Sequence, residues 1–399
     1  MSFLGRRGRT LTLVSLASLG WAFSFGLGAS LASLWLRDAG RGAWTIGLNT
    51  TCYYLGAALV APLVPRWMGR ANRACVLGGL LLDAAATTLF PLVSGDVAWH
   101  GLRLLCGIGT ALCLVPMETL VNGNAPPQRR ARDFGVYAFC VALGIGLGSV
   151  VGLTSYPLAP RLAFAGGGLV TLLAAPLALL AIPSSMAHRP EAPANAPLPW
   201  RDSALSLGTA WAQGFLEGGS ITFLSIYLLG IGYGESGAGL LMGGLFAGVV
   251  AAQLPLAWLA DRLGRQRVLL GCHAALLAGL GAVPCLRAAL PLAAWLFVLG
   301  ACCGALYPLG LSLLGERLPA SSLARGNAWY LASNCAGSLT GPLVMGVVIE
   351  AFGPRAQFTT AAAAVAAVLL ADRLLRREPL RPVAILLPAS PVAPGGVIQ

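Results

Sequence analysis

The sequence contains no lysine and few charged residues of any kind. Its 26 basic residues are all arginine, 14 residues are acidic, and charged residues make up only 10% of the 399 positions. Soluble globular domains carry about 25% charged residues, so this composition excludes an ordinary soluble protein. The hydrophobic fraction of 57% and the mean hydropathy of +0.77 instead indicate an integral membrane protein with many spans.

Residues that usually build metal or catalytic sites are also scarce. The three histidines, His100, His188 and His273, are far apart, and the ten cysteines lie in apolar runs without a spaced ligand pair. We therefore expect no metal and no cofactor. The sequence has no Walker-type phosphate loop, which excludes the use of ATP by this chain. It also shows no nucleophile with a partner base, so a membrane-embedded enzyme is not expected.

The arginines are unevenly distributed between the loops. On a soluble protein the formal charge of +12 would point to nucleic acid. Here almost all loop arginines fall on alternate loops, and only about five fall on the opposite side. This positive-inside pattern predicts that both termini are cytoplasmic and that the number of spans is even. It also removes nucleic acid as an expected partner and leaves the lipid bilayer.

Twelve apolar runs are long enough to cross a bilayer as helices, which takes about 20 residues each. A proline-rich stretch that cannot continue a helix separates six runs from six more. The predicted spans are 11–36, 45–65, 74–94, 97–120, 134–155, 162–182, 204–230, 236–259, 268–286, 291–314, 326–350 and 357–375. The predicted domains are an N-terminal bundle over 1–183, a cytoplasmic linker over 184–203, a C-terminal bundle over 204–376 and a disordered tail over 377–399.

The two groups of six spans share the spacing of several residues. Gly40 and Gly47 return as Gly232 and Gly239 at a nearly constant offset. Further pairs are Trp35 with Tyr227, Tyr137 with Tyr330, Gly144 with Gly337, and Gly148 with Gly341. Agreement in both order and spacing indicates an internal duplication.

A charged turn over residues 261–267, here named the basic turn, lies between two apolar runs. Such a cluster cannot lie in hydrocarbon. Its acid can pair across the bundle or cap the start of a neighbouring helix, which would favour one arrangement of the halves. A solvated basic loop is the alternative. The candidate gating residues are Asp261, Arg262, Gly264 and Arg265, with Arg66, Gly69 and Arg70 in a weaker copy that lacks the acid.

This organisation resembles the major facilitator superfamily of transporters over about residues 10–376. Residues 257–266 match the family loop pattern Gly-x-x-x-Asp-Arg-x-Gly-Arg-Arg except at Ala257 and Gln266. Arg103, Gly107 and Gly109 match a second pattern, Arg-x-x-x-Gly-x-Gly, in the fourth helix. The segments 117–120, 306–308 and 337–342 are similar to bacterial YcaD-type permeases.

The resemblance implies two pseudo-symmetric six-helix bundles in a bacterial inner membrane that expose one central site to either side in turn. It implies a small-molecule substrate and a chain that functions as a monomer. A glycine-rich fifth helix with a proline is associated with antiporters in this family. The proline occurs only in the second half, as Pro342, so the pattern is half met and leans slightly towards efflux.

Glu217 is the most informative single residue for a mechanism. It lies in the middle of the seventh span, four residues after Gln213 and three before Ser220, so the three share one helical face. Polar residues at this depth avoid lipid and face the interior. Desolvation there favours the protonated carboxyl, so Glu217 could carry a proton at neutral pH. The alternative is a structural carboxyl bonded to a neighbouring helix.

Five further residues are candidates for binding substrate or protons. Arg103, in the outer third of the fourth span, cannot easily lose its charge and needs an anion. Asp83 could be that anion in a fixed pair. Alternatively, as the family pattern suggests, Arg103 could bind an anionic substrate or tune the proton affinity of a carboxyl group. Glu118 lies near the cytoplasmic end of the fourth span, where snorkelling to the interface explains it equally well. Tyr307 and Asn334 offer polar groups to the interior, and a helix-to-helix hydrogen bond explains either one.

These features together predict a secondary transporter of a small organic solute, with the proton as coupling ion. The alternative from another class is a receptor or scaffold on the same fold that does not transport, because a fold does not fix a function.

Overall fold

The computed structural model describes residues 6–124, 130–183, 200–318 and 323–375, and these ranges form twelve α-helices. The helices are α1 Arg6–Asp38, α2 Ala43–Val60, α3 Val64–Leu89, α4 Asp96–Asn124, α5 Arg130–Ser155, α6 Pro160–Ala181, α7 Trp200–Gly230, α8 Glu235–Leu263, α9 Arg265–Ala282, α10 Ala289–Arg317, α11 Leu323–Phe352 and α12 Ala356–Leu375. The predicted all-α architecture is confirmed. Helix α7 begins inside the predicted linker. Residues 184–199 of that linker, and the predicted tail, lie outside the described residues.

Ten of these helices are long and apolar enough to cross a membrane by length and composition alone. The other two are α2 and α7. Both are as long as a span, but their mean hydropathy is lowered by polar residues such as Asn49 and Thr50 in α2 and Gln213 and Glu217 in α7. Because Asn49, Thr50 and Gln213 are buried, the polar faces of these helices point into the protein.

The duplication predicted from spacing is visible in the backbone after the first helix of each half. Gly40 and Gly232 both have positive φ angles, 73° and 102°. The flanking hydrogen bonds also correspond, since Arg41 N donates to Leu36 O and Tyr233 N donates to Leu228 O. Glycine adopts this left-handed conformation without steric cost, so each half uses it to end a helix and reverse the chain.

Close helix contacts repeat in the same way. In α5, a Cβ atom at Gly144 or Gly148 would overlap a backbone carbonyl oxygen of α1. In α11, a Cβ atom at Gly337 or Gly341 would overlap a carbonyl oxygen of α7. Small residues let backbones approach closely where the lipid provides no hydrophobic driving force. The glycine series therefore serves the packing of the first helix of each half against the fifth.

The halves meet where α2 packs against α11 and α5 packs against α8, a contact here named the outer seam. Thr51 donates a hydrogen bond to the carbonyl oxygen of Leu339 at 3.1 Å, and Thr222 donates to Thr50 at 3.0 Å. The seam lies towards the starts of α2 and α8, on the arginine-poor side that the positive-inside rule places outside. At the inner ends, Arg73 Nε donates to Ile182 O at 2.7 Å within the first half. In the described residues the halves are joined at the outer seam, which is the contact of an inward-facing arrangement.

Candidate functional site

A chain of amide groups holds the carboxylate of Glu217 on the inner face of α7. Asn334 of α11 donates to the side-chain oxygen of Gln213, and Gln213 donates in turn to Oε2 of Glu217. Asn334 also donates to the carbonyl oxygen of Ala210 at 3.1 Å. This second bond fixes the orientation of the Asn334 amide, and Asn334 in turn fixes that of Gln213. One oxygen of Glu217 is therefore held by a neutral donor.

This close contact depends on Gly214, one residue after Gln213. A Cβ atom at Gly214 would overlap the backbone oxygen of Asn334, so α7 and α11 touch at this level. The spacing of Gln213 and Glu217 by four residues places them on one helical face, and the amide of Gln213 bridges them. The face predicted from the sequence is therefore present, and a partner from α11 completes it.

Glu217 has no basic partner among the described residues. The described ion pairs within 4.0 Å are Arg37–Asp38, Arg41–Asp96, Arg265–Asp261 and Arg265–Glu316. Tyr54 of α2 and Tyr307 of α10 lie within electrostatic range of the Glu217 carboxylate. The carboxylate is half-buried and is bonded to the neutral amide of Gln213, and a charge in such a place is costly unless it is paired.

Arg103 and Asp83 are both almost fully buried, with 4% and 3% of their surfaces exposed. They do not form the fixed pair that the sequence left open, because no nitrogen of Arg103 lies within 4.0 Å of the Asp83 carboxylate. Arg103 Cζ instead lies 4.9 Å from the centre of the Tyr53 ring. Asp83 accepts a hydrogen bond from Thr171 of α6 at 3.4 Å. The two side chains are therefore turned towards different helices.

The guanidinium of Arg103 is incompletely satisfied. Its Nε and Nη2 atoms are buried and have no hydrogen-bond partner among the described residues. The face of the Tyr53 ring offers a cation–π contact, and the nearby Asp83 offers a longer-range attraction. Neither provides acceptors for these donors. Arg103 thus keeps hydrogen-bonding capacity for a group with oxygen acceptors.

Glu118 of α4 and Tyr307 of α10 lie within long electrostatic range of one another. Glu118 is half-buried, and no described basic side chain lies within 4.0 Å of it. Tyr307 has a structural task, because its backbone carbonyl accepts a hydrogen bond from the Tyr330 hydroxyl at 2.8 Å and the two rings pack edge to face.

The basic turn joins α8 to α9 through Gly264, whose φ of 90° is accessible mainly to glycine. The Nη1 atom of Arg265 lies 3.1 Å from Oε1 of Glu316 at the inner end of α10. Its Nη2 atom lies 3.8 Å from Oδ1 of Asp261. The Asp261 side chain is 70% exposed. The Cζ atom of Arg262 lies 3.7 Å from the centre of the Trp258 ring. All these contacts lie in the second half. Among the described residues, the ion pair of the Asp261 carboxylate is with Arg265 of its own half.

The copy in the first half departs from this geometry. Ala71 has non-helical angles, φ −141° and ψ 42°, and breaks α3 next to the predicted gating residues. Arg66 is exposed before this break, and the surroundings of Gly69 and of the Arg70 side chain lie outside what the structure describes. Asn72 donates to the carbonyl oxygen of Pro183 at 3.2 Å. The described contacts of this turn therefore tie α3 to the end of α6.

Sequence reasoning missed that Tyr54 lies within electrostatic range of Glu217. The available signal was the run of polar and aromatic residues in the second span, 49–54, which is unusual for a segment facing lipid. Spacing within one helix cannot show which residue of another helix it meets. The contact between the outer ends of α2 and α11 was missed for the same reason.

The profile of the Major Facilitator Superfamily matches residues 11–232 and again residues 206–392. The chain belongs to the Major Facilitator Superfamily. The two matches overlap over residues 206–232. The membership makes the protein an integral, multi-pass membrane transporter. The superfamily works by alternating access, in which the two halves expose a central site to each side in turn.

Curated relatives include two MFS-type transporters whose names call them uncharacterized. The transporter Ent638_1421 of Enterobacter sp. (strain 638) is 28% identical over 344 residues, covering 82% of this chain and 86% of the relative. YcaD of Salmonella dublin is 26% identical over 333 residues with the same coverage. The YcaD-type resemblance is confirmed.

Solved superfamily structures share the fold. A bacterial homologue of the human lysosomal transporter Spinster, solved in an inward-facing and unoccupied conformation, aligns with a TM-score of 0.73 at 16% identity over 93% of this chain and 96% of that chain. The nucleoside transporter NupG aligns with a TM-score of 0.75 at 14% identity over 92% of this chain and 99% of that chain.

Proposed function

We propose that this superfamily member is a proton-coupled secondary transporter of a small organic solute, with Glu217 as the proton-binding group. The observation that carries the proposal is the Glu217 carboxylate, which has no basic partner within 4.0 Å among the described residues and is held by the neutral amide of Gln213. A carboxylate that is desolvated and lacks a cation favours the protonated form. Opening to each side in turn would let this group load a proton on one side and release it on the other.

The proposal includes a direction, efflux of the solute in exchange for protons. The support is Pro342, which follows Gly337 and Gly341 in α11 and completes the antiporter-associated pattern in one half. Its carbonyl oxygen packs against Gly47 at the outer seam, so this part of α11 takes part in closing the outer side.

The experiment uses the full-length protein in liposomes that enclose a pH-sensitive dye. A library of small organic acids, cations and zwitterions is added outside, and the internal pH is followed for each compound. A proton-coupled transporter changes the internal pH only with its substrates, and the direction of change separates exchange from co-transport. A receptor or scaffold that does not transport gives no pH response to any compound. Its binding of a compound can still be detected as a thermal shift.

We also propose that Arg103 binds the solute or tunes the proton affinity of a nearby carboxyl group. The replacement Arg103→Gln is expected to lower the initial rate of coupled flux about 5- to 150-fold, the range of a site-to-site coupling. Arg103→Lys keeps the charge but loses the planar fork, and we expect partial recovery. Rates are measured in the dye assay with the compound that gives the largest native signal. Native rates in Arg103→Gln would remove this residue from the site.

Asp261 is proposed to hold the opposite, outward-facing state. In the described arrangement its carboxylate is mostly exposed and 3.8 Å from Arg265, so Asp261→Asn is expected to leave thermal stability unchanged. Flux is expected to fall about fivefold, because a carboxylate at a helix start contributes about 1 kcal/mol to the state in which it is engaged. The control Glu316→Gln removes the other acid near Arg265. If Asp261→Asn transports at the native rate, the turn is only a solvated loop.

A further inference from the structure

A carboxylate from the second half lies on the start of a helix in the first half. Glu350, near the end of α11, accepts a hydrogen bond from the backbone nitrogen of Trp44 at 3.1 Å. Trp44 belongs to the first turn of α2, which contains no acidic residue of its own. The N-cap residue of α2 is Gly42, which has no side chain to cap the helix. The free backbone donors of α2 therefore obtain their anion from the opposite half.

The carboxylate fits because position 42 is a glycine. A Cβ atom at Gly42 would lie 2.5 Å from both carboxylate oxygens of Glu350. The Gly42 backbone has φ −68° and ψ 165°, angles that any residue can adopt. Glycine is thus needed here for the space it leaves and not for its conformational freedom.

The corresponding helix in the second half obtains the negative charge at its start from a different source. Helix α8 also begins after a glycine, Gly234, with nearly the same angles, φ −70° and ψ 167°, and it likewise has no side-chain cap. Its first turn, however, contains its own acid, Glu235. Helix α5, the counterpart of α11, ends at Ser155 and is followed by Tyr156 and Pro157. The charge on α8 therefore comes from its own half, whereas the charge on α2 crosses the outer seam.

We propose that Glu350 is an outer latch, a group that stabilises the inward-facing state by capping α2 and is released when the halves open outwards. The start of a helix carries a partial positive charge that favours an anion. The contact is exposed, and close packing begins beside it, because Gly346 of α11 lies against the backbone of Ala43 and Gly47 lies against the backbone of Pro342. These contacts are lost together when α2 and α11 separate, so the capping energy is gained in only one state. The latch does not depend on the identity of the coupling ion.

The test measures the distance between the halves on the outer side. Spin labels are placed at Ala39 and Arg355, two exposed residues of opposite halves, in full-length protein whose ten cysteines have been replaced. Pulsed electron resonance in lipid nanodiscs then gives the ratio of inward-facing to outward-facing populations. Glu350→Ala is expected to lower this ratio about fivefold, the effect of losing a helix cap. Glu350→Gln, which keeps an acceptor without the charge, should produce a smaller shift in the same direction.

Matched variants separate the latch from general effects at the seam. Glu235→Gln removes the corresponding charge at α8 within one half and should leave the ratio unchanged. Gly42→Ala displaces the carboxylate and should shift the ratio as Glu350→Ala does, but it should add nothing in the Glu350→Ala background. An unchanged distance distribution in Glu350→Ala would overturn the proposal. A full Gly42→Ala shift in the Glu350→Ala background would also overturn it, because the glycine would then act through packing alone.

Discussion

Replacing Glu217 with glutamine is expected to abolish proton-coupled flux while leaving the fold intact. Glutamine has nearly the same shape and can still accept a hydrogen bond from Gln213, whose amide contacts Glu217 in α7. It cannot bind or release a proton in the physiological range. We expect the coupled rate in the dye-loaded liposomes to fall about 5- to 150-fold, with a thermal unfolding temperature close to that of the native protein.

Two controls make this result specific. Glu316→Gln changes an exposed acid at the inner surface and should keep most of the coupled rate. A substrate-free measurement is the infrared difference spectrum between two pH values, in which the protonated carboxyl band of Glu217 should be present in native protein and absent in Glu217→Gln. A native coupled rate in Glu217→Gln would disprove its role, and the proton would then have to bind elsewhere.

Gly107→Ala is expected to destabilise the protein strongly, whereas Gly101→Ala in the same helix should not. A Cβ atom at Gly107 would overlap the backbone oxygen of Tyr53 in α2, and that oxygen cannot rotate away. A Cβ atom at Gly101 would meet nothing within 4 Å. Overpacking costs about 1–3 kcal/mol, while alanine is favoured over glycine in a helix by up to about 1 kcal/mol.

The two substitutions should therefore have opposite signs in one experiment. Thermal unfolding of both variants in the same detergent is the measurement, and Gly107→Ala should unfold several degrees below the native protein. Gly300 takes the same place in the second half, against the backbone of Leu245, so Gly300→Ala should reproduce the loss. Equal stability of Gly107→Ala and Gly101→Ala would show that α2 and α4 can move apart without cost.

The fold was predictable because membrane helices leave a simple signature. Without water, each backbone polar group is satisfied within its own helix, so apolar runs and the loops between them outline the topology. The duplication was predictable for a related reason. The same left-handed turn in each half needs a glycine, Gly40 in one and Gly232 in the other. The two glycines therefore occupy corresponding positions in the sequence.

The site was predictable only as far as one helix reaches. Spacing placed Gln213 and Glu217 on a common face, but the donor from Asn334 depends on how α11 lies against α7. The pairing left open for Arg103 and Asp83 failed because each side chain found another partner, Tyr53 for one and Thr171 for the other. The contact between Glu350 and α2 joins residues 306 positions apart in the sequence. Periodicity within a helix cannot predict a contact over such a separation.

The two helices that fall short of a membrane span by length and composition, α2 and α7, also bear on how the protein is made. When α7 leaves the ribosome, the lipid provides no hydrogen-bonding groups for Gln213 and Glu217. The Asn334 amide that orients Gln213 belongs to α11, which is synthesised much later. Partitioning into the bilayer one helix at a time is thus unfavourable for this segment. We therefore expect α7 to remain at the translocon, or beside earlier helices such as α1, until α11 emerges. A ribosome-bound chain that stops before α11 should therefore leave α7 exposed to quality-control proteases.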